Sequence, residues 1–270
     1  MRRKSISQYR RSLSEKESNV LSDLSYNGKH IFSIDDLKEL VDNPKNVLDK
    51  LVRKKWLLKI KKGTYAIAPF EAGVLGAESY TLHSFVIASL LIKPYYIGYW
   101  SALNYYGLTD QTPSIVYVVS TKPKNSCEIL NTVFKFVKTV PHKMFGVENI
   151  DVEKRKIIVS SKEKTIVDCL DHPEHCGGVE EIAKILYFYF DEIDIKKVVV
   201  YAKKIGNSAV LKRLGYLFET LKLSHSELLN DVKLGEGYSL LDPTLPKVGR
   251  IVERWKLVLN ISIDYSRWTR

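Results

Sequence analysis

Residues 33–67, SIDDLKELVDNPKNVLDKLVRKKWLLKIKKGTYAI, read as a helix, a tight turn, a second helix and a short β-hairpin with Lys61-Lys62-Gly63 at its tip. Each piece has a local cause. Ser33 followed by Asp36 is a near capping box. Ile34, Leu37, Leu40 and Val41 then repeat at helical spacing and give one apolar stripe. Asn43 is placed to cap the next helix, and Pro44 follows where a missing N–H costs nothing. Trp56–Ile60 and Thr64–Ala68 are apolar, β-rich runs joined by a glycine-containing turn. That order predicts a winged helix-turn-helix, in which one helix meets DNA and a basic hairpin lies beside it.

The second helix decides between readings. At about 100° per residue, Val47, Leu48, Leu51 and Val52 share one side, and Lys45, Asn46, Asp49, Lys50, Arg53 and Lys54 share the other. A basic face holding Asn and Arg suits a helix that reads a groove, because both side chains make bidentate contacts to base edges. Lys59, Lys61 and Lys62 of the hairpin are placed to neutralise phosphates. The alternative is a lysine-rich, solvated helix in an ordinary α/β domain.

Charge favours the DNA reading. Residues 1–70 hold 16 Lys/Arg and 8 Asp/Glu, while residues 71–270 hold 26 and 23, so most of the chain's formal charge of +11 sits in the first quarter. Residues 1–13 include Arg2, Arg3, Lys4, Arg10 and Arg11 and no acid. Such an arm can follow a phosphate backbone, or it can simply be solvated.

At 270 residues the chain can hold two domains, and a hydrophobic content of 45% can fill a core in each. Three cysteines, Cys127, Cys169 and Cys176, are too few and too irregular for a disulfide framework and fit a reducing cytosol. The longest apolar run, Phe85–Ile92, is far short of the roughly 20 residues a membrane helix needs, and no apolar segment follows the basic N-terminus as a secretory signal would. The expected location is cytoplasmic.

The expected organisation is a basic arm over residues 1–13, the winged domain over 14–70, a linker through Phe70–Ala77 with the boundary near residue 72, and a larger α+β domain over 73–270. Ser14 and Glu17 form a capping box that starts the first helix, and Ile31-Phe32 supply a third strand for the hairpin. Farther on, helices are expected over Ser79–Ile92, Ser101–Tyr106, Lys162–Leu170, Val179–Phe190, Ile195–Ile205, Ser208–Leu221 and Ser226–Val232. Strands are expected over Tyr95–Ile97, Ile115–Ser120, Phe134–Val140, Ile157–Ser160, Tyr238–Leu241 and Trp255–Ile263. Strands followed by a block of helices point to α+β rather than alternating units.

Enzymatic motifs that spacing can reveal are missing: no phosphate-cradling Gly-x-x-x-x-Gly-Lys loop, no His-Glu-x-x-His, no Gly-x-Ser-x-Gly, and no Gly-Ser pair ahead of Asp-x-Asp. Asp151, Glu153 and Lys154 would serve a nuclease, but the stretch reads more simply as a hairpin turn. Cys169, His172, His175 and Cys176 are zinc-ligand types, yet Cys169 belongs to a helix end and adjacent side chains rarely converge on one ion. A capped helix end is the simpler account. The aromatic run Tyr95, Tyr96, Tyr99, Trp100, Tyr105, Tyr106 reads first as core filling, with a partner surface and base stacking as the alternatives. Lys196, Lys197, Lys203, Lys204, Lys212, Arg213 and Lys222 read mostly as solvated faces, with attraction of an acidic partner or a second stretch of DNA as the alternative. No cofactor, metal or catalytic residue is expected.

Three blocks resemble the AbiEi antitoxin family of type IV toxin–antitoxin (abortive infection) systems: the KIKKGTYAIAP hairpin, YYIGYWSALNYYGLTDQTPSIVYVV, and VSSKEKTIVDCLDHPEHCGGVEEIAKIL. The final LDPTLPKVGRIVERWKLVLN is similar as well, so the likeness covers most of residues 10–262. It implies a cytoplasmic DNA-binding autorepressor that binds inverted repeats in its own promoter. It also implies a nucleotidyltransferase toxin as functional partner, without need of a stable complex. Stand-alone family members imply an alternative, a transcriptional regulator with no toxin; a nucleic-acid-processing enzyme is the more distant one.

Overall fold

The computed structural model describes residues 9–111, 114–224, 229 and 232–268. The chain separates into two compact units, Met1–His83 and Ser84–Arg270, and its helices and sheets make it α+β.

In the first unit, α1 (Glu15–Tyr26) starts at the expected capping box: Ser14 N donates to Glu17 Oε2 at 2.7 Å and Glu17 N returns a bond to Ser14 Oγ at 3.4 Å. Its buried face is Val20, Leu21 and Leu24. Strands β1 (Ile31–Ser33), β2 (Leu57–Lys61) and β3 (Thr64–Ile67) form an antiparallel sheet in the order β1-β3-β2. The pairing of Phe32 with Tyr65 places Ile31-Phe32 on the hairpin as expected. Between them lies α2 (Pro44–Arg53), whose first turn is held by Asn43 Oδ1 accepting from Asn46 N at 3.2 Å.

The helix expected over residues 34–41 is shorter than its periodicity suggested. Only Ile34–Leu37 is helical, and in 3-10 form. Nine residues separate β1 from the Asn43 cap that begins the next helix, and Asp36 closes the segment from its start. Its carboxylate accepts from Ser33 N and from Lys29 Nζ, each at 2.7 Å. Lys29 first, then Ser33, hold that carboxyl at about 2.

The segment taken for a linker is also different. Phe70–Glu78 forms 3-10 turns that belong to the first unit, so the boundary falls at His83/Ser84 rather than near residue 72. Phe70 meets Trp56 edge-on at 5.3 Å, and Ala77 N donates to Lys55 O at 2.9 Å. Gly76 permits that approach: its φ is +55°, and a Cβ there would sit 2.2 Å from the Lys55 carbonyl oxygen.

The second unit is built on a six-stranded mixed sheet in the order β6-β7-β5-β4-β9-β8. Its strands are β4 (Tyr96–Ile97), β5 (Ile115–Ser120), β6 (Cys127–Ile129), β7 (Thr132–Lys138), β8 (Val147–Val152) and β9 (Arg155–Ser160). Helices α3 (Ser84–Leu91) and α4 (Tyr99–Tyr105) flank β4 in sequence. Then α5 (Lys162–Asp171), α6 (Val179–Phe188), α7 (Ile195–Lys204) and α8 (Ser208–Thr220) follow the last strand, as the α+β pattern requires. Nearly all of α5 is buried among the others, including Lys164 and Asp168. These two charges are paired with each other, and Tyr96 completes a triangle: its hydroxyl donates to Asp168 Oδ2 at 2.9 Å and accepts from Lys164 Nζ at 3.3 Å.

A small sheet, β10 (Ser239–Leu240), β11 (Arg250–Val252) and β12 (Leu257–Leu259) in the order β10-β12-β11, closes against α8. Trp255 lies so near the helix that a Cβ on Gly215 would be 2.1 Å from its ring. The strand expected over Trp255–Ile263 is therefore only Leu257–Leu259, because Trp255 ends a 3-10 turn. Strands β6 and β8 were not expected, and the helix expected over Ser226–Val232 lies mostly outside the described residues. Lys212 and Arg213 are not solvated. Both are buried, Lys212 donating to Gly237 O and Arg213 to Leu170 O and Leu241 O, carbonyls that need donors at element ends. No helix among the described residues is long and apolar enough to cross a membrane.

Candidate nucleic-acid interface

The face of α2 follows from its packing. Val47, Leu48 and Leu51 are buried against Leu24, Leu37 and Leu57, and that fixes the rotation of the helix. Lys45, Asn46, Asp49, Lys50 and Arg53 are consequently exposed together. Arg53 Nε donates to Asp49 O at 3.2 Å, which lays the guanidinium along the helix surface with its remaining N–H groups outward. Asp49 is the one acid among the exposed side chains of α2; a carboxylate in such a place can accept from cytosine N4. Downstream, β2 alternates, so Leu58 and Ile60 are buried while Lys59 and Lys61 are exposed, and Lys62 is exposed at the turn.

Two residues depart from the expected surface. Lys54 is half-buried and bonded to Glu17 at 2.5 Å, so it serves α1 rather than the open face. Burial opposes the Glu17 charge, but Lys54 and Ser14 outweigh it and keep the carboxyl below its usual range. Arg10, expected in a free arm, is fastened to the unit. Its guanidinium lies 4.1 Å from the Trp56 ring centroid and donates to Ala68 O and Pro69 O, both at 2.9 Å. Trp56 Nε1 in turn donates to Arg11 O at 2.8 Å. The rest of the arm, residues 1–8, lies outside the described residues.

That fastening adds a residue which periodicity did not assign to the face. Arg11 is exposed and lines, with Lys50 and Arg53, a cleft of about 320 Å³ that also touches Ser14, Glu17 and Lys54. The signal for it was the count of basic residues ahead of Ser14; its position was not readable, because bonds to the distant Lys54 carbonyl and Trp56 indole set it.

The other candidate chemistry lies in the second unit. Asp151 bonds to Lys156 across the β8–β9 hairpin at 2.5 Å, and Glu153-Lys154 form its turn, with φ of 48° and 60°. All three residues of the suggested nuclease set are thus on an exposed hairpin end. In the Cys/His cluster, Cys169 and Cys176 are fully buried, and the Cys176 thiol donates to Pro173 O at 3.4 Å. His172 Nδ1 meets Glu174 at 3.0 Å, while the His175 ring packs 4.9 Å from that of Tyr99. Among the described residues, no three His, Cys, Asp or Glu side chains are grouped to hold a metal. From the aromatic run, Tyr95, Tyr96 and Tyr99 are core residues, and Tyr105 is exposed.

No protein-family model matches this chain, and no curated protein matches it. Among solved structures it is similar to the crystal structure of RV2827C protein from Mycobacterium tuberculosis. The two are 13% identical, the match covers 94% of each chain, and the TM-score is 0.67. At that identity the likeness is one of fold.

Proposed function

We propose that this chain is a winged-helix transcriptional autorepressor and the antitoxin of a type IV toxin–antitoxin pair, acting in the cytoplasm on inverted repeats in its own promoter. One observation carries the DNA half: α2 buries its aliphatic stripe and leaves Lys45, Asn46, Asp49, Lys50 and Arg53 exposed together, with the basic hairpin next in the chain. In this reading Arg53 and Asn46 contact base edges in the major groove. Lys45, Lys50, Lys59, Lys61 and Lys62 neutralise phosphates, joined by Arg11. The chain carries no chemistry of its own. Support for the antitoxin half is the sequence likeness in the second unit, with a nucleotidyltransferase toxin as functional partner.

Fluorescence anisotropy with the chain's own promoter tests the first half. If about five phosphates are neutralised per chain, log affinity falls with log salt at a slope of about −4.5, and a scrambled duplex binds far more weakly at the same salt. Equal affinity for both duplexes would remove sequence recognition from the proposal. For the second half, expression of this chain is expected to relieve growth arrest caused by a nucleotidyltransferase encoded beside it. Arrest that persists with the chain present would leave only the repressor.

A further inference from the structure

Residues 84–270 hold 26 Lys/Arg and 21 Asp/Glu, a modest excess, yet four cations converge at one end of the six-stranded sheet. Strands β4 and β9 run parallel and β5 runs against them, so the start of β4, the start of β9 and the end of β5 share that end. Ser120 Oγ donates to Pro94 O at 2.6 Å and ties two of these ends together. Lys93 precedes β4, Lys122 follows β5, and Arg155 and Lys156 open β9, so the topology gathers all four at that end. They line a groove of about 930 Å³. Lys156 is engaged by Asp151, but among the described residues no carboxylate pairs with Lys93, Lys122 or Arg155. Unmatched cations gathered in a concave site attract an anionic partner.

The remaining lining says which kind. Leu90, Met144, Val147 and Ile158 give the groove aliphatic surface, with Val147 40% exposed on β8, the outermost strand. A sugar–phosphate chain has no use for aliphatic side chains there, and it lacks a ring to stack on. Tyr95, the aromatic in the lining, is 5% exposed, and its hydroxyl accepts from Ile158 N at 3.4 Å. A polypeptide that presents carboxylates around a large apolar side chain satisfies both parts, and an adaptable methionine suits such a contact. We propose that this groove docks an acidic segment of a partner protein, with an apolar side chain of that segment set between Met144 and Val147. The inference concerns the second unit alone and does not depend on promoter binding by the first.

The test uses the full chain and a labelled peptide of alternating Glu and Leu, with an all-Glu peptide, a single-stranded oligonucleotide and a duplex as comparisons. The Glu-Leu peptide is expected to bind best. Lys93→Glu with Lys122→Glu and Arg155→Glu should weaken it by at least about tenfold, with the unfolding midpoint little changed because none of the three side chains is buried in the core. Val147→Ser should weaken it severalfold, and Lys50→Glu with Arg53→Glu should leave it as it is. The proposal fails if the peptide does not bind, if binding survives the triple reversal, or if the all-Glu peptide binds equally well. An oligonucleotide that displaces the peptide and loses its own affinity in the triple variant would make the groove a nucleic-acid surface instead.

Discussion

Lys50→Glu combined with Arg53→Glu is expected to lower affinity for the promoter duplex by at least about 100-fold near 0.1 M salt, where screening acts over roughly 10 Å. Two cations are lost and two anions are brought toward phosphates. With Lys50 the phosphate contact of the two, the salt slope falls from about −4.5 to about −3.6. The fold should not register the change, since both side chains are exposed while Val47, Leu48 and Leu51 hold the helix in place. Arg53→Lys separates charge from recognition. It keeps the cation and loses the planar fork, so the slope should remain while the preference for promoter over scrambled duplex drops by about 1–3 kcal/mol. Full affinity in the double-reversal variant would mean that α2 does not face DNA.

The second large effect concerns the interior of the other unit. Asp168→Ala is expected to destabilise it by about 3–5 kcal/mol, because the Lys164 ammonium would be left buried without a countercharge. Its other neighbours, the rings of Phe145 and Tyr96 at 5.0 and 5.3 Å, cannot replace a carboxylate. Removal from water raises the Asp168 carboxyl above its ordinary range, and Lys164 and Tyr96 work against that rise. Replacing the whole triangle, Lys164→Met with Asp168→Leu and Tyr96→Phe, should recover most of the loss, since no polar group of the three is then stranded. Urea unfolding followed through Trp100 and Trp255 would measure both. Equal stability of Asp168→Ala and the parent would show that the pair is not held away from water.

The parts legible in the sequence share a property: their causes are local. The caps at Ser14 and Asn43, the rotation of α2 and the alternation in β2 follow from neighbours within about one or two turns of chain. What escaped depends on distant residues. VENIDV has almost no buried side chain and becomes β8 only because β9 pairs with it from Ser160 to Arg155. Lys54 was expected on the DNA-facing side of α2, and Lys212 and Arg213 on solvated faces. Their long alkyl stems bury readily once a carboxylate or a backbone carbonyl waits at the tip, and no pattern along the chain announces that. On the candidate interface, five side chains of α2 were readable from periodicity. Arg11 was not, since a tryptophan 45 residues away fixes it.

The hold of Arg10 on Trp56 bears on how an N-terminal deletion should be interpreted. A chain shortened to begin at Ser14 would lose two hydrogen bonds to the Ala68 and Pro69 carbonyls and the cation stacked on the indole. Weaker promoter binding after such trimming would then report a slackened hairpin root as much as missing phosphate contacts. Neutralising Arg2, Arg3 and Lys4 by substitution, with Arg10 left in place, keeps the two causes apart.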